Sequence, residues 1–330
     1  SDKKILRAIN SLSDLKILLI GETIIDEYVF CETLGKSGKE PVLVLRDLYK
    51  ERYLGGAAAL AKNLSSLCKK ITLVSNIGEK NQEKTFIKNQ LSKNIKPIFL
   101  KKDNSPTIIK KRYLDDINRS KLLGVYSLND QSLSLKNEIL FKKIIEREIK
   151  KHDLVIVSDY GHGFISQKLA NFLIRKSKFL AVNTQVNASN IGYHVISKYK
   201  GASFITINET ELRHELRDKS SDVKSLIKKI SNNLKTKFTN ITCGDEGSYI
   251  YSKKTKKITH CPAFANKVID KVGTGDTMMI LIAICLFKKV NLEFTMFISA
   301  IAAAQNLSNM ANKKTIEKHN FIKALQSYLK

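Results

Sequence analysis

The sequence lacks the features that mark secreted, zinc-binding or membrane-spanning proteins. Its five cysteines are scattered, odd in number and never arranged as Cys-x-x-Cys, which argues against a disulfide framework and against a zinc knuckle. No apolar run approaches the roughly 18–20 residues of a membrane-spanning helix, and the N-terminus carries no signal-peptide pattern. We therefore expect a protein of the reducing cytoplasm without a membrane partner.

The common nucleotide-binding motifs are also absent. The chain contains neither the GxxxxGKS/T of a P-loop nor the GxGxxG of a dinucleotide-binding fold. A phosphate site in this protein must therefore be of another type.

Negative charge is scarce, because 57 Lys and Arg residues stand against 31 Asp and Glu residues, giving a formal net charge of +26. Such an excess suits nucleic acid, anionic lipid or acidic small substrates. Lysine is nevertheless spread along the whole chain, without a basic arm that interleaves aromatic residues. We interpret the charge as a global compositional bias and predict no nucleic-acid partner. Nucleic-acid binding stays an alternative that rests on charge alone.

Apolar, strand-like runs alternate with helical periodicity over most of the chain. Buried strands are predicted at Lys16–Gly21, Ile71–Ile77, Pro97–Leu100, Leu154–Ser158, Phe179–Asn183, Phe204–Asn208 and Asn240–Cys243. Helices are predicted at Ala57–Cys68, Glu83–Lys93, Leu135–Lys150, Ser166–Lys176, Glu209–Leu216 and Val223–Leu234. This alternation predicts an α/β fold in which helices cover both faces of a mostly parallel sheet.

Two segments break the alternation, at about 25–53 and 107–126. Both read as strands with turns and without a helix, so we predict a small antiparallel sheet that stands off the main body. Open α/β sheets bind ligands at the carboxyl ends of their strands, and we expect the small sheet to serve as a lid there. Its exposed edges suit pairing of two copies into a homodimer.

A glycine-rich turn opens the most apolar predicted helix. Gly273, Thr274, Gly275 and Asp276 precede ten consecutive apolar residues, Met278–Phe287. The first amides of a helix lack internal partners and carry partial positive charge, and glycine lets a ligand approach closely, so the turn is a candidate phosphate site. An aspartate there repels an anion but suits a general base that accepts the proton of a substrate hydroxyl. The alternative is an aspartate N-cap on a core helix.

The stretch "DKVGTGDT" resembles the D-T-x-G-A-G-D signature of the ribokinase (PfkB) family of sugar kinases. The segments "GETIID", "ERYLGGAAALAKNLSSL", "VIVSDYGHG", "INETEL" and "ITCGDEG" follow in the family's order, so the resemblance covers essentially the whole chain. Within the family, "YLGGAA", "EPVLVL" and "SDYGHG" are most similar to kinases that phosphorylate heptose 7-phosphate. The resemblance implies one ribokinase-like domain over 1–330, a three-layer α/β/α sandwich. It also implies ATP-dependent phosphorylation of a sugar or sugar phosphate with Mg²⁺.

The resemblance also implies roles by position. Asp276 would be the catalytic base, with an anion hole formed by the amides of Gly273, Thr274 and Gly275. The candidate substrate-binding residues are Asp26, Gly55, Gly56, Arg112, Asp159, Asn183 and Gln185. The candidate nucleotide-binding residues are Asn208, Thr242, Gly244, Gly247 and Asn306. Asn208 and Glu211 would organise Mg²⁺ indirectly, through water.

The sequence departs from the heptose kinases where it would meet the sugar. Asn183 and Gln185 occupy the acid and lysine positions of that subfamily's V-D-P-K, and Ala59 stands where asparagine is typical. We therefore predict weaker binding of heptose 7-phosphate, or another preferred sugar, unless Lys110 or Arg112 supplies the lost charge.

Each of these residues also has a purely structural interpretation, which the sequence leaves open. Asp26 could cap a turn, Gly55 and Gly56 could form one, and Asn208 with Glu211 could simply begin a helix. A kinase-fold protein that binds nucleotide or sugar without turnover is the alternative from a different functional class.

Overall fold

The computed structural model describes residue 9 and residues 12–265, 270, 272–307, 313 and 315–328. Its strands, numbered in chain order, are β1 Lys16–Gly21, β2 Thr23–Lys36, β3 Leu43–Gly55, β4 Lys70–Gly78, β5 Ile95–Lys102, β6 Ile108–Asp115, β7 Lys121–Ser127, β8 Leu154–Asp159, β9 Leu180–Thr184, β10 Phe204–Asn208, β11 Phe238–Thr242, β12 Ser248–Ser252 and β13 Lys257–Cys261. Its α-helices are α1 Gly56–Ser65, α2 Lys84–Gln90, α3 Leu135–Ile149, α4 Gln167–Lys176, α5 Glu209–Leu216, α6 Val223–Leu234, α7 Thr274–Phe287, α8 Leu292–Leu307 and α9 Lys318–Ser327.

The larger sheet has the strand order β13-β12-β11-β10-β9-β8-β1-β4-β5. The seven strands from β11 to β5 are parallel, and each corresponds to one of the predicted strands. β12 and β13 are antiparallel additions at the β11 edge. They escaped prediction because their five-residue sequences, SYIYS and KITHC, contain no continuous apolar run.

Two hydrophobic cores lie on opposite faces of this sheet. Ile17 and Leu19 of β1 pack in the core that contains α1, α7 and α8, whereas Leu18 and Ile20 pack in the core that contains α3, α4 and α6. Successive side chains of a strand point to opposite faces, so a strand with a core on each side presents apolar side chains to both. The predicted three-layer α/β/α sandwich is confirmed.

A smaller sheet, β3-β2-β6-β7, comes from the two segments predicted to break the alternation. Its outer pairs, β2–β3 and β6–β7, are antiparallel, and its central pair, β2–β6, is parallel. β2 and β6 each follow a strand of the larger sheet, β1 and β5, from the same edge. They therefore leave that edge in the same direction.

The strand order reverses at β1. From β1 the chain builds β4 and β5 on one side and then β8 to β11 on the other. Open α/β sheets bind ligands at such a switch point, beyond the carboxyl ends of the strands. The carboxyl ends of β8 to β11 carry most of the predicted polar site residues.

Helix α7 is apolar on all sides, and residues 277–286 are buried. A helix that is apolar all round belongs inside a protein core, and α7 packs against β8, β9 and β10 and against helices α1 and α8. This packing fixes the N-terminus of α7 beside the sheet. Within the described ranges, no helix has both the length and the apolar character needed to cross a membrane.

Candidate functional site

The turn before α7 is fixed by glycine geometry and by one buried amide. Gly273 is the N-cap, with φ of 77°, a left-handed conformation that glycine adopts without strain. The side-chain amide of Asn306 in α8 donates to the carbonyl of Val272 at 3.1 Å and to Oγ1 of Thr274 at 3.3 Å. The Asn306 side chain, predicted to bind nucleotide, therefore stabilises the turn through two hydrogen bonds.

Asp276 is the third helical residue of α7 and not its N-cap. Its Oδ2 accepts a hydrogen bond from the Tyr160 hydroxyl at 2.9 Å, and its Oδ1 accepts one from Nδ2 of Asn183 at 2.7 Å. The N-cap position belongs to Gly273, so the alternative of a capping aspartate is wrong. The carboxylate instead bridges from α7 to the ends of β8 and β9.

Burial raises the pKa of Asp276 above its ordinary value. Hydrogen bonds from Tyr160, Asn183 and Ser158 oppose that rise, and so does the positive charge of Lys110. Burial penalises the ionised carboxylate, whereas donors and cations favour it. The outcome is a somewhat more basic carboxylate, which suits a proton acceptor.

The space beside Gly275 is open. A Cβ atom built at this residue would have no heavy atom within 4 Å, apart from its chain neighbours and the backbone of its own helix. Gly275 is exposed and lies in the first turn of α7. The first amides of a helix attract anions, and the space beside Gly275 leaves them open to an approaching group.

Asp26 and Arg112 form a buried ion pair on the small sheet. Nη1 of Arg112 lies 2.5 Å from Oδ1 of Asp26, and their side chains are 14% and 5% exposed. A Cβ atom at Gly55 would lie 2.3 Å from Oδ2 of Asp26, and one at Gly56 would lie 2.4 Å from the carbonyl of Glu22. The two glycines therefore admit β2 and the Asp26 carboxylate against the start of α1.

Lys110 lies opposite Asp26 in the β2–β6 register, so its side chain shares a face with Asp26 and Arg112. The residue is 7% exposed, and its ammonium lies 5.5 Å from the ring centroid of Tyr126. Burial lowers the pKa of Lys110, and the charge of Asp26 opposes that effect. Among the described residues its Nζ has no hydrogen-bond acceptor.

Asn208 and Glu211 form a capping box at the start of α5. The Asn208 side chain accepts from the Glu211 amide at 2.8 Å, and Oε2 of Glu211 accepts from the Asn208 amide at 2.9 Å. The amide of Val186 donates to the other Glu211 oxygen at 2.9 Å. The described residues contain no group of three acidic, Cys or His side chains able to hold a metal directly. Both carboxylate oxygens of Glu211 thus accept hydrogen bonds from backbone amides.

The other candidate nucleotide-binding residues lie at the end of β11. Thr242 is its last residue, and Gly244 opens a short 3-10 turn with φ of 61°. Gly247 has φ of 89°, and a Cβ atom there would stand 2.1 Å from the carbonyl of Cys261. These residues lie at the carboxyl end of the larger sheet, where Thr242 pairs with Asn208.

Asp159 and Gln185 do not contact Asp276. The Asp159 carboxylate is 1% exposed and accepts from Lys198 at 2.5 Å and from the Tyr199 hydroxyl at 2.6 Å. The Gln185 side chain is exposed, while its amide donates to the Asp159 carbonyl at 3.0 Å. Asp159 ends β8 with its side chain turned away from Asp276, whereas Tyr160, the next residue, turns toward Asp276.

Sequence reasoning missed Tyr160 and Glu22. Glu22 is fully buried, and its two carboxylate oxygens accept from the amides of Tyr160 and His162, each at 3.0 Å. The tyrosine lies within the quoted "SDYGHG" segment and the glutamate within "GETIID", so both motifs were visible. Their contacts depend on which strands become neighbours, which no local pattern encodes.

A family model described as pfkB family carbohydrate kinase matches residues 14–317. Among curated proteins, the chain is 29% identical over 280 residues to a Bifunctional protein HldE of Campylobacter jejuni subsp. doylei, covering 84% of this chain and 58% of that protein. It is 26% identical over 323 residues to a Bifunctional protein HldE of Koribacter versatilis, covering 96% and 64%. The chain thus spans less than two thirds of each relative's length.

Solved structures share the fold at low sequence identity. Phosphofructokinase-2 from Escherichia coli, in complex with potassium, has a TM-score of 0.75 at 14% identity, covering 96% of this chain and 99% of that one. Ribokinase from Arabidopsis thaliana, complexed with ribose and ATP, has a TM-score of 0.71 at 16% identity, covering 95% and 99%. These similarities concern the fold alone, which they assign as ribokinase-like.

Proposed function

This chain belongs to the pfkB family of carbohydrate kinases, and we propose that it transfers the γ-phosphoryl group of ATP to a hydroxyl of a heptose-phosphate-like sugar. Family membership makes it a phosphotransferase with an alcohol group as acceptor and ATP as co-substrate. The identity of the sugar and the role of each residue are our proposals.

The observation that carries the proposal is the position of Asp276. Asp276 directly follows Gly275, beside which the first turn of α7 is open. Its carboxylate accepts hydrogen bonds from Tyr160 and Asn183 and does not cap the helix. A general base and an anion-binding helix end are thus adjacent. In-line phosphoryl transfer needs this pairing, because the hydroxyl loses its proton as charge develops on the transferred group.

In the proposed mechanism, Asp276 accepts the proton of the sugar hydroxyl as its oxygen attacks the γ-phosphorus. The amides of Gly273, Thr274 and Gly275 face the transferring group and stabilise its negative charge. Asn208 and Glu211 would hold Mg²⁺ through water. The bound metal would add further charge stabilisation on the phosphate oxygens.

The small sheet supplies support for an anionic sugar. Lys110 and Arg112 place two cations on one face with Asp26, and Asp26 neutralises only one of them. Lysine holds phosphate as a point charge. We propose that Lys110 takes the role that the lysine of V-D-P-K plays in heptose kinases, while Gln185 at that position is neutral.

Substrate identity is tested by steady-state kinetics on heptose 7-phosphate and on the unphosphorylated heptose. We expect a kcat/KM near 10⁵ M⁻¹s⁻¹ for the 7-phosphate, an ordinary value for an enzyme on its own substrate, and a much lower one for the neutral sugar. Lys110→Met should reduce that preference, whereas Lys142→Met on the exposed side of α3 should not. Equal kcat/KM values for the two sugars would reject the anionic substrate.

We further propose that the small sheet closes over the site and pairs two copies of the chain. It is tied to the segment before α7 because the Tyr28 hydroxyl and Nζ of Lys121 each lie 2.9 Å from the Asp270 carboxylate. Its edge strands β3 and β7 expose Leu43, Leu48 and Leu123 by 46–56%. A monomer by sedimentation at micromolar concentration would reject the dimer. A cytoplasmic location is likewise proposed.

A further inference from the structure

We propose that Tyr160 and Asn183 are positioning residues that clamp Asp276 in one orientation and set the pH range in which it accepts a proton. The segment 183–190 would then shape the base itself rather than the charge around the sugar. This inference rests on the proposed role of Asp276. It assigns a purpose to the part of the chain that departs most from the heptose kinases.

The clamp has two points, one on each carboxylate oxygen. Tyr160 follows β8 and donates to Oδ2 at 2.9 Å, and Asn183 in β9 donates to Oδ1 at 2.7 Å. β8 and β9 are adjacent parallel strands, in which Ser158 pairs with Asn183. Rotation of the carboxylate would break both hydrogen bonds together. A near-attack geometry needs such a fixed proton acceptor.

Tyr160 is itself held from three sides. Its amide donates to Oε2 of Glu22 at 3.0 Å, and its carbonyl accepts from Nδ2 of Asn187 at 3.0 Å and of Asn190 at 2.9 Å. Tyr160 is 3% exposed and Asn190 is 4% exposed. The two asparagines lie in "NASN", so the unusual segment reaches Asp276 through the backbone of Tyr160.

The chemistry at position 183 fits a donor and not an acid. An ionised Asp276 only accepts hydrogen bonds, so the amide nitrogen of Asn183 must face it. A second carboxylate at this distance would repel the first and raise its pKa. Ser158 donates a further hydrogen bond to Asp276. That bond and the charge of Lys110 favour the ionised form, and the buried Glu211 disfavours it.

The test is the pH dependence of kcat/KM, with heptose 7-phosphate and ATP as the probe substrates. Tyr160→Phe removes one donor and keeps the ring, and Asn183→Asp replaces a donor with an acid. We expect the acid limb of the profile to move to higher pH in both variants, and further in Asn183→Asp. At pH 6 kcat/KM should fall roughly tenfold or more, as expected when a hydrogen bond to a charged group is lost.

A matched control is Tyr193→Phe, because that side chain is 93% exposed and also loses only a hydroxyl. Its profile should coincide with the parent's. Thermal unfolding of each variant shows whether a loss of activity reflects loss of the fold. A structural defect would lower kcat equally at every pH and would leave the acid limb in place.

A second readout does not need turnover. ¹³C-carboxylate NMR of aspartate-labelled protein should contain one titrating resonance that disappears in Asp276→Asn. Its pKa should rise in Tyr160→Phe and in Asn183→Asp but not in Tyr193→Phe. An unchanged pKa in both clamp variants would overturn the inference.

The two levels of the hypothesis fail differently. If Asp276→Asn is inactive but neither clamp variant moves the acid limb or the NMR titration, the clamp is rejected and the proposed base stands. If Asp276→Asn retains full activity, Asp276 is not the base. The proposal that Tyr160 and Asn183 position a catalytic base is then rejected as well.

Discussion

The carboxylate of Asp26 lies against Gly55, so closely that a Cβ atom at position 55 would stand 2.3 Å from Oδ2. The same carboxylate pairs with Arg112 through its other oxygen at 2.5 Å. Glycine at the start of α1 is therefore a condition for the ion pair on the small sheet. We expect Gly55→Ala to destabilise the protein by about 1–3 kcal/mol, the usual cost of overpacking, in urea unfolding. An unchanged midpoint would mean that Asp26 moves freely.

The Asp26–Arg112 pair should show strong coupling in a double-mutant cycle. Arg112→Met leaves a buried carboxylate unpaired, and breaking a buried pair typically costs about 3–5 kcal/mol. Asp26→Asn together with Arg112→Met should cost less than Arg112→Met alone, because no uncompensated charge remains. Arg46→Met, which removes an exposed partner of Glu32, should cost about 1 kcal/mol or less. Additive single and double effects would contradict the coupling.

Gly275→Ala should abolish most activity without harming the fold. The added methyl group meets no protein atom, and alanine is a better helix former than glycine. It would nevertheless occupy the space assigned to the transferring phosphoryl group. We expect an unchanged or slightly higher melting temperature and a large loss of kcat. Gly38→Ala is the matched control, since its Cβ also enters open space, in the turn between β2 and β3. Full activity in Gly275→Ala would show that the transferring phosphoryl group does not lie beside Gly275.

Asp276→Asn should lose about 10²–10⁴-fold in kcat, the usual contribution of a general base. The amide keeps the size of the side chain but cannot take the proton. Nucleotide binding, measured by calorimetry, should persist because the helix amides remain. Glu146→Gln on the exposed face of α3 removes a carboxylate in the same way and should leave kcat unchanged. Normal turnover by Asp276→Asn would instead favour another base.

The stability of the protein should report the ionisation of Glu22. Burial and the negative charge of Asp159 raise the pKa of Glu22 from 4.5 to about 7. The folded state then binds a proton that the unfolded state has already lost between these values, so this group's contribution to stability falls as pH rises from about 4.5 to about 7.

Glu22→Gln removes the titration. We therefore expect its melting temperature, relative to the parent protein, to rise between pH 5 and pH 8. Asp159, whose pKa is lowered by Lys198 and His194 against the effect of burial, stays ionised throughout this range. A pH-independent difference between the two melting curves would show that Glu22 does not titrate in this window.

Local sequence determined the secondary structure and its burial. Short continuous apolar runs suit strands covered on both faces, and seven of them became the parallel strands, whereas the ten-residue run Met278–Phe287 became the buried helix α7. The bounds of β1, β10, α5 and α6 match their predictions, because each has a clear start or stop signal. The Asn208–Glu211 capping box is one such signal. The β12–β13 hairpin has no such signal in its sequence and was not predicted.

Tertiary structure decided which polar groups meet. The turn at Gly273–Asp276 was recognisable because its glycines and acid are adjacent in the chain, whereas the partners of Asp276 are 93 and 116 residues away. Strand order brings Asn183 and Tyr160 to that carboxylate, and side-chain alternation along β8 turns Asp159 away from it. A pattern of residues specifies what each strand can bury, but only the packed sheet specifies which strand ends become neighbours.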